Sequence, residues 1–302
     1  MYEYEPGSPL AELEQRLKLT RDRVRGVASK QHTGFYLHGR PGTSKTYTVR
    51  NTLEEMGVRY GYVSGHITEM GLFETLSDYH DSVIILDDVS QLFRQKIGMQ
   101  FLLAALGNQD GKPRIISYRM KGQLSSIKFT GGIIAISNLE LNDANGTVAA
   151  LKSRVNHLQY DPSDLQLEAL MIEICKSGWK TMTPDECSNV AQFLIAESKA
   201  RSVRLDMRNL VDKAYPDYLQ WSTGMSEAHW KDLIRSTLHE RLIGLMHTPE
   251  IESRASIAKR EWILARSIDK NLPDRASKTA HWIEKTGKSE AQYYRRLRES
   301  KQ

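Results

Sequence analysis

Apolar positions follow two regimes along this chain. Up to about residue 160, short continuous apolar runs alternate with stretches whose apolar residues recur at helical spacing; beyond it only the helical spacing persists. Residues 8–30 open the first regime as a charged amphipathic helix, with Leu10, Leu13, Leu17 and Val24 on one stripe. A β-type run at 35–38 meets a loop of Gly, Pro, Ser and Thr and then a helix ending at Gly57. Residues 59–65 read as a strand, followed by a helical stretch. The run 82–88 (SVIILDD) is almost uninterrupted apolar sequence, which suits a strand buried on both faces of a parallel sheet. A helix is expected over 98–106, two β segments over 113–129 around a Lys121–Gly122 turn, and another buried strand over 131–138. This alternation predicts an α/β fold with a three-layer αβα core.

After residue 160 the signals are helical. Asp161 is the expected N-cap of the next helix, with Pro162 at the first helical position, where its missing N–H costs nothing. Thr183, Pro184 and Glu186 repeat the device as a capping box. Residues 161–250 therefore read as a lid of roughly four helices. Residues 277–299 read as helix, tight turn at Thr286-Gly287-Lys288, and a second helix capped by Ser289 with Gln292 three positions on. Ala280, Ile283, Ala291, Tyr294 and Leu297 are the expected seam between these two helices, and Gln292, Arg295 and Arg296 the opposite face. Core is the commoner fate of aromatics such as Trp282 and Tyr293.

Composition sharpens this picture in one place. The net charge of +5 is localised: residues 251–302 hold 13 Lys and Arg against 7 Asp and Glu, and the remaining 250 residues hold 29 against 30. A basic module appended to a neutral body is the pattern of a nucleic-acid-binding segment. The two cysteines, Cys175 and Cys187, exclude a disulfide scaffold and a four-cysteine metal site. The histidines, His38 and His66 among them, lack metal-ligand spacing and read as structural. No apolar run approaches the roughly 20 residues that span a bilayer, and the N-terminal residues show no signal-peptide pattern. A cytoplasmic protein with no membrane partner is the expectation.

Residues 39–46 (GRPGTSKT) carry the candidate chemistry. Gly39 and Gly42 let the backbone curl around a phosphate, with Arg40, Pro41, Thr43 and Ser44 supplying the rest of the cradle. Lys45 reaches for β- and γ-phosphates, and Thr46 offers a hydroxyl to Mg²⁺. The loop follows a strand and opens a helix, so phosphates also meet the positive end of the helix dipole. Ser44 stands where the pattern has its second glycine; at the first turn of a helix it is expected to need no unusual φ. Asp87 and Asp88 end the 82–88 run, the first suited to hold Mg²⁺ and the second to polarise an attacking water. Asn138 ends the 131–138 strand, beside that water.

In this order, GRPGTSKT, IILDD, ISN and ALKSR resemble the P-loop, Walker B strand, sensor 1 and arginine-finger segment of the AAA+ ATPases over roughly residues 30–220. The resemblance implies ATP and Mg²⁺ as cofactors, a P-loop NTPase core under a helical lid, and self-assembly into a ring or filament. It implies that Arg154 is the finger reaching a neighbouring subunit's site, just past the last core strand. MRNLVDKA resembles the sensor 2 helix and implies that Arg208 senses nucleotide in its own subunit, with Arg204 one turn earlier as competitor. The family more often carries Asp-Glu where this chain has Asp87-Asp88, a shorter reach.

The expected organisation is a lead helix over 1–33, the nucleotide-binding core over 34–160, the lid over 161–250 and a small helical C-terminal module over 251–302. That module resembles a helix-turn-helix with Lys288, Gln292, Arg295 and Arg296 facing DNA. The leading expectation is an ATP-hydrolysing AAA+ ATPase acting on DNA in replication, mobile-element or phage-type transactions. The alternatives are a chaperone-like remodelling ATPase whose C-terminal helices bind a protein partner, and a nucleotide switch that does not hydrolyse.

Overall fold

The structure, a computed structural model, describes residues 4–89, 91–92, 95–107, 112–120, 123–141, 146–247, 254–272, 274–286 and 288–299. The expected turn residues Lys121, Gly122 and Gly287 lie outside these. The chain divides into two compact units, residues 1–238 and 239–302.

The first unit is built on five parallel strands: β1 (Gly34–His38), β2 (Tyr60–Ser64), β3 (Val83–Asp87), β6 (Gly132–Ser137) and β7 (Asn156–Gln159), in the spatial order β2-β3-β6-β1-β7. Alternation along each strand feeds two cores. On one face Phe35, Leu37, Val83, Ile85, Ile134 and Ile136 pack against α1 (Pro9–Ala28) and α2 (Lys45–Glu55) through Leu13, Val24, Val49 and Leu53. On the other, Tyr36, Ile84, Leu86, Ile133 and Ala135 pack against α3 (Glu69–Asp78) and α4 (Lys96–Ala105) through Leu72, Leu76, Phe101 and Leu102. Each fully buried aliphatic or aromatic side chain contributes roughly 1.5–3 kcal/mol. This is the three-layer αβα arrangement that the sequence predicts. The antiparallel pair β4 (Arg114–Met120) and β5 (Gln123–Phe129) covers the second face, tied down by buried Arg114, which donates to the carbonyls of Ala105 (2.5 Å) and Gly131.

Two elements depart from expectation. α5 (Gly146–Lys152) leads into β7, so a core strand follows Arg154 instead of preceding it. The sequence NHLQ is polar and only alternately covered, an edge-strand pattern with little apolar signal. The lid helix α6 (Asp164–Cys175) is capped by Ser163, two residues later than expected. Ser163 and Gln166 close both halves of a capping box, while the Asp161 carboxylate is taken by Arg40 (3.3 Å). α7 (Pro184–Ala200) begins at the Thr183–Glu186 box as expected. A π-helical turn over Asn209–Ala214 runs into α8 (Tyr215–Ser222), and α9 spans Trp230–His247. Cys175 and Cys187 are free, buried thiols.

The second unit contains α10 (Arg254–Asn271), α11 (Arg275–Thr286) and α12 (Glu290–Glu299). α11 and α12 match the expected helix pair; α10 is a third helix beyond that pair, and it resets the packing. The core is Trp282, Tyr293 and Leu297 against Ala265 and Ile268, with Tyr294 at its margin. Ala280, Ile283 and Ala291 of the expected seam are instead exposed, because the aromatic faces of α11 and α12 turn toward α10. Among the described residues no helix is long and apolar enough to cross a membrane.

Candidate functional site

Strand register assembles the site. His38 pairs with Ser137 and Asp87 with Ile136, so β1, β3 and β6 end at the same level. The segments leaving those ends, 39–44, Asp88 and Asn138, therefore meet at the carboxyl edge of the sheet, where open α/β sheets hold their ligands. A cleft of about 580 Å³ opens there. Pro41, Gly42, Thr43, Ser44, Lys45 and Thr46 line it with Asp87, Asp88 and Asn138; the lid contributes Leu170, Ile174, Trp179, Met207 and Arg208, and α1 contributes Leu17 and Arg21.

The loop is tightly constrained. A Cβ on Gly39 would stand 1.9 Å from the Tyr160 carbonyl oxygen, and one on Gly42 (φ +71°) 1.9 Å from Asp206 Oδ1. The Met207 N–H donates to the Gly42 carbonyl (2.8 Å), and Asp206 Oδ1 accepts from the Arg208 N–H (2.8 Å), so the lid is fastened directly to the loop. Ser44 corrects the sequence reading: it lies in the left-handed region (φ +66°, ψ +17°), and its side chain makes no capping bond. The backbone needs that conformation to turn from loop into α2, so the position is suited to glycine and strained for serine.

Lys45 begins α2 and is 6% exposed. Its Nζ donates to the carbonyls of Gly39 (2.7 Å) and Arg40 (2.6 Å) and to Asn138 Oδ1 (3.2 Å). Burial pulls its pKa down to about 8, against the opposing pull of Asp88. Thr46 Oγ1 donates to Asp87 Oδ2 (2.9 Å). Asp88 also takes a left-handed conformation (φ +53°), pinned by its N–H to the Ile136 carbonyl (3.0 Å). Asn138 Nδ2 donates to both Asp88 carboxylate oxygens (3.2 and 3.4 Å). His38 is buried at the end of β1, which lowers its pKa. Among the described residues no group of three or more His, Cys, Asp or Glu is placed to hold a metal.

Other predicted residues stand apart. Arg40 turns away to Asp161 (3.3 Å) and Asp164 (2.7 Å) and contributes its carbonyl, not its guanidinium, to Lys45. Arg208 lines the cleft; Arg204 is exposed and lies 3.7 Å from Asp164. Arg154 is exposed in the turn after α5, donates to the Ala150 carbonyl (2.8 Å), and is not among the residues lining the cleft of its own chain. In the second unit, Arg296 does not share an outer face with Gln292 and Arg295. It donates to buried Glu261 (2.6 Å) and to Glu299 (2.6 Å), and Lys288 pairs with the same Glu261. Gln292 and Arg295 are exposed, and Arg298 joins them at the next helical step.

Three contributors carried little sequence signal. Tyr62 donates to Asp87 Oδ2 (2.8 Å) from a strand with no motif around it; burial, then the Asp87 carboxylate, raises its pKa, so it remains a donor. Trp179 enters from a loop between helices. Asp206 was the most legible, since an Asp at a helix start is a capping signal.

No family model matches the chain, and no curated protein matches it. Solved structures similar to it include Cdc6p from Pyrobaculum aerophilum, at 16% identity and TM-score 0.46 over 99% of this chain and 87% of that one. A mutant RuvB from Thermotoga maritima is similar at 12% identity and TM-score 0.44, over 96% of this chain and 85% of that one. The chain's own sheet order, its strand–loop–helix at 34–55 and its acid-ended β3 make it a three-layer αβα P-loop NTPase fold with a helical lid.

Proposed function

We propose that this protein is an AAA+ ATPase that binds and hydrolyses ATP, assembles with copies of itself and acts on DNA. The observation that carries the reading is the convergence of Lys45, Thr46, Asp87, Asp88 and Asn138 on one cleft, brought level by strand register. The glycine-bearing loop supplies the phosphate cradle, Lys45 its charge, and Arg208 a second cation from the lid. Thr46 and Asp87 are two hard oxygen donors 2.9 Å apart. They suit Mg²⁺, which travels with nucleotide phosphates and needs only one or two protein oxygens. When bound, Mg²⁺ neutralises charge on the transferring phosphoryl group.

Asp88, steadied by the Asn138 amide, orients the attacking water and takes its proton. Arg154, outside its own chain's cleft, is free to serve a neighbour's, where a guanidinium stabilises the transferring charge. The DNA reading rests on the basic second unit, with Gln292, Arg295 and Arg298 outermost on α12 and Lys288 and Arg296 holding α12 to α10 through Glu261. Phosphate release by the full chain, measured across a DNA titration at two salt concentrations, tests the whole. Stimulation by DNA that weakens with salt supports the reading. Turnover indifferent to DNA removes the DNA role, and no turnover at all leaves a nucleotide switch.

A further inference from the structure

Two hydroxyls converge on a single oxygen of Asp87. Thr46 Oγ1 reaches Oδ2 at 2.9 Å and Tyr62 OH reaches the same atom at 2.8 Å. A carboxylate oxygen offers two lone-pair sites, and these two donors fill both. Thr46 belongs to the phosphate loop, but Tyr62 comes from β2, where Ser64 is the register partner of Asp87 and Tyr62 lies two positions earlier. The ring is itself held: the Arg50 guanidinium of α2 lies 5.3 Å from its centroid. Tyr62 is 43% exposed, and its hydroxyl donates to Asp87 with the Ser64 side chain also within hydrogen-bonding reach.

We propose that Tyr62 is a positioning residue for the divalent cation: its phenol stops the Asp87 carboxylate from rotating and so fixes how that carboxylate meets the metal. This rests on the Mg²⁺–ATP reading of the cleft. Partners that orient a metal-ligating carboxylate are worth 10–100-fold in metal affinity.

Tyr62→Phe removes only the hydroxyl. Its affinity for a fluorescent, non-hydrolysable ATP analogue is to be measured in EDTA and again in excess Mg²⁺, beside the wild type and Asp87→Asn. The ratio of the two affinities isolates what the metal contributes. The expected result is an unchanged affinity in EDTA and a metal enhancement reduced about 10–100-fold. A wild-type enhancement in Tyr62→Phe overturns the proposal, and so does an equal loss with and without metal, which is the mark of a packing role. If Asp87→Asn keeps the full enhancement, or the wild type shows none, the metal reading of the cleft fails instead, and the two failures are told apart by that control.

Discussion

Ser44→Gly should make this protein more stable. Ser44 holds φ +66° and ψ +17° at the entrance to α2, and a side chain in that region costs roughly 1–2 kcal/mol. Glycine releases this cost but loosens the unfolded chain, which takes back about 0.4–1 kcal/mol. The two ranges leave a net gain of roughly 0–1.6 kcal/mol, centred on about 0.8 kcal/mol, which raises the melting temperature by about 2–3 °C for a unit of this size. Ser44→Ala is the control. The Ser44 side chain makes no capping hydrogen bond, so alanine keeps the backbone penalty, loses nothing, and should melt within about 0.5 kcal/mol of wild type. Thermal and urea unfolding of the three proteins, followed by circular dichroism, decides the matter. The backbone N–H at position 44 survives both changes, so nucleotide affinity should not fall. A Ser44→Gly protein no more stable than wild type, or an alanine variant that gains as much as the glycine one, refutes the strained-loop account.

Two further outcomes follow from the same geometry. Because burial holds Lys45 at about 8, the charge offered to phosphate is lost as pH rises through that value. ATP affinity should therefore be level from pH 6.5 to 7.5 and fall by up to about tenfold per unit above 8; a flat profile to pH 9.5 removes Lys45 as the phosphate contact. Arg154→Ala should bind ATP yet hydrolyse it slowly, and mixing it with Lys45→Ala, which keeps an intact finger, should restore part of the activity through composite sites. No rescue in mixtures shown to co-assemble leaves Arg154 as a local residue.

What was legible in the sequence was what burial and backbone geometry write directly into residue type. β3 and β6 are covered on both faces and so read as apolar runs; the loop's glycines avoid collisions with Tyr160 and Asp206 that no other residue escapes. β7 has no apolar signature because an edge strand covered on alternate residues tolerates NHLQ. The φ of Ser44 has no signature in the sequence, because serine is ordinary at a helix start and only the path of the chain makes this start left-handed. The seam of the second unit differs from the one the pattern of two helices predicts, because two helices alone do not reveal a third; with α10 present, Trp282 and Tyr293 are its contacts. Tyr62 carries no sequence signal for a different reason: its contact with Asp87 depends on strand order, which puts β2 beside β3.

The central claim is that the cleft at the carboxyl edge of the sheet hydrolyses ATP with Asp88 activating the water. Asp88→Asn, compared with wild type and Lys45→Ala in parallel nucleotide titrations and phosphate-release assays with Mg²⁺, tests it most directly. The account predicts wild-type ATP affinity in Asp88→Asn with turnover reduced by about 10²–10⁴-fold, and loss of binding itself in Lys45→Ala. An Asp88→Asn protein that turns over at the wild-type rate contradicts it.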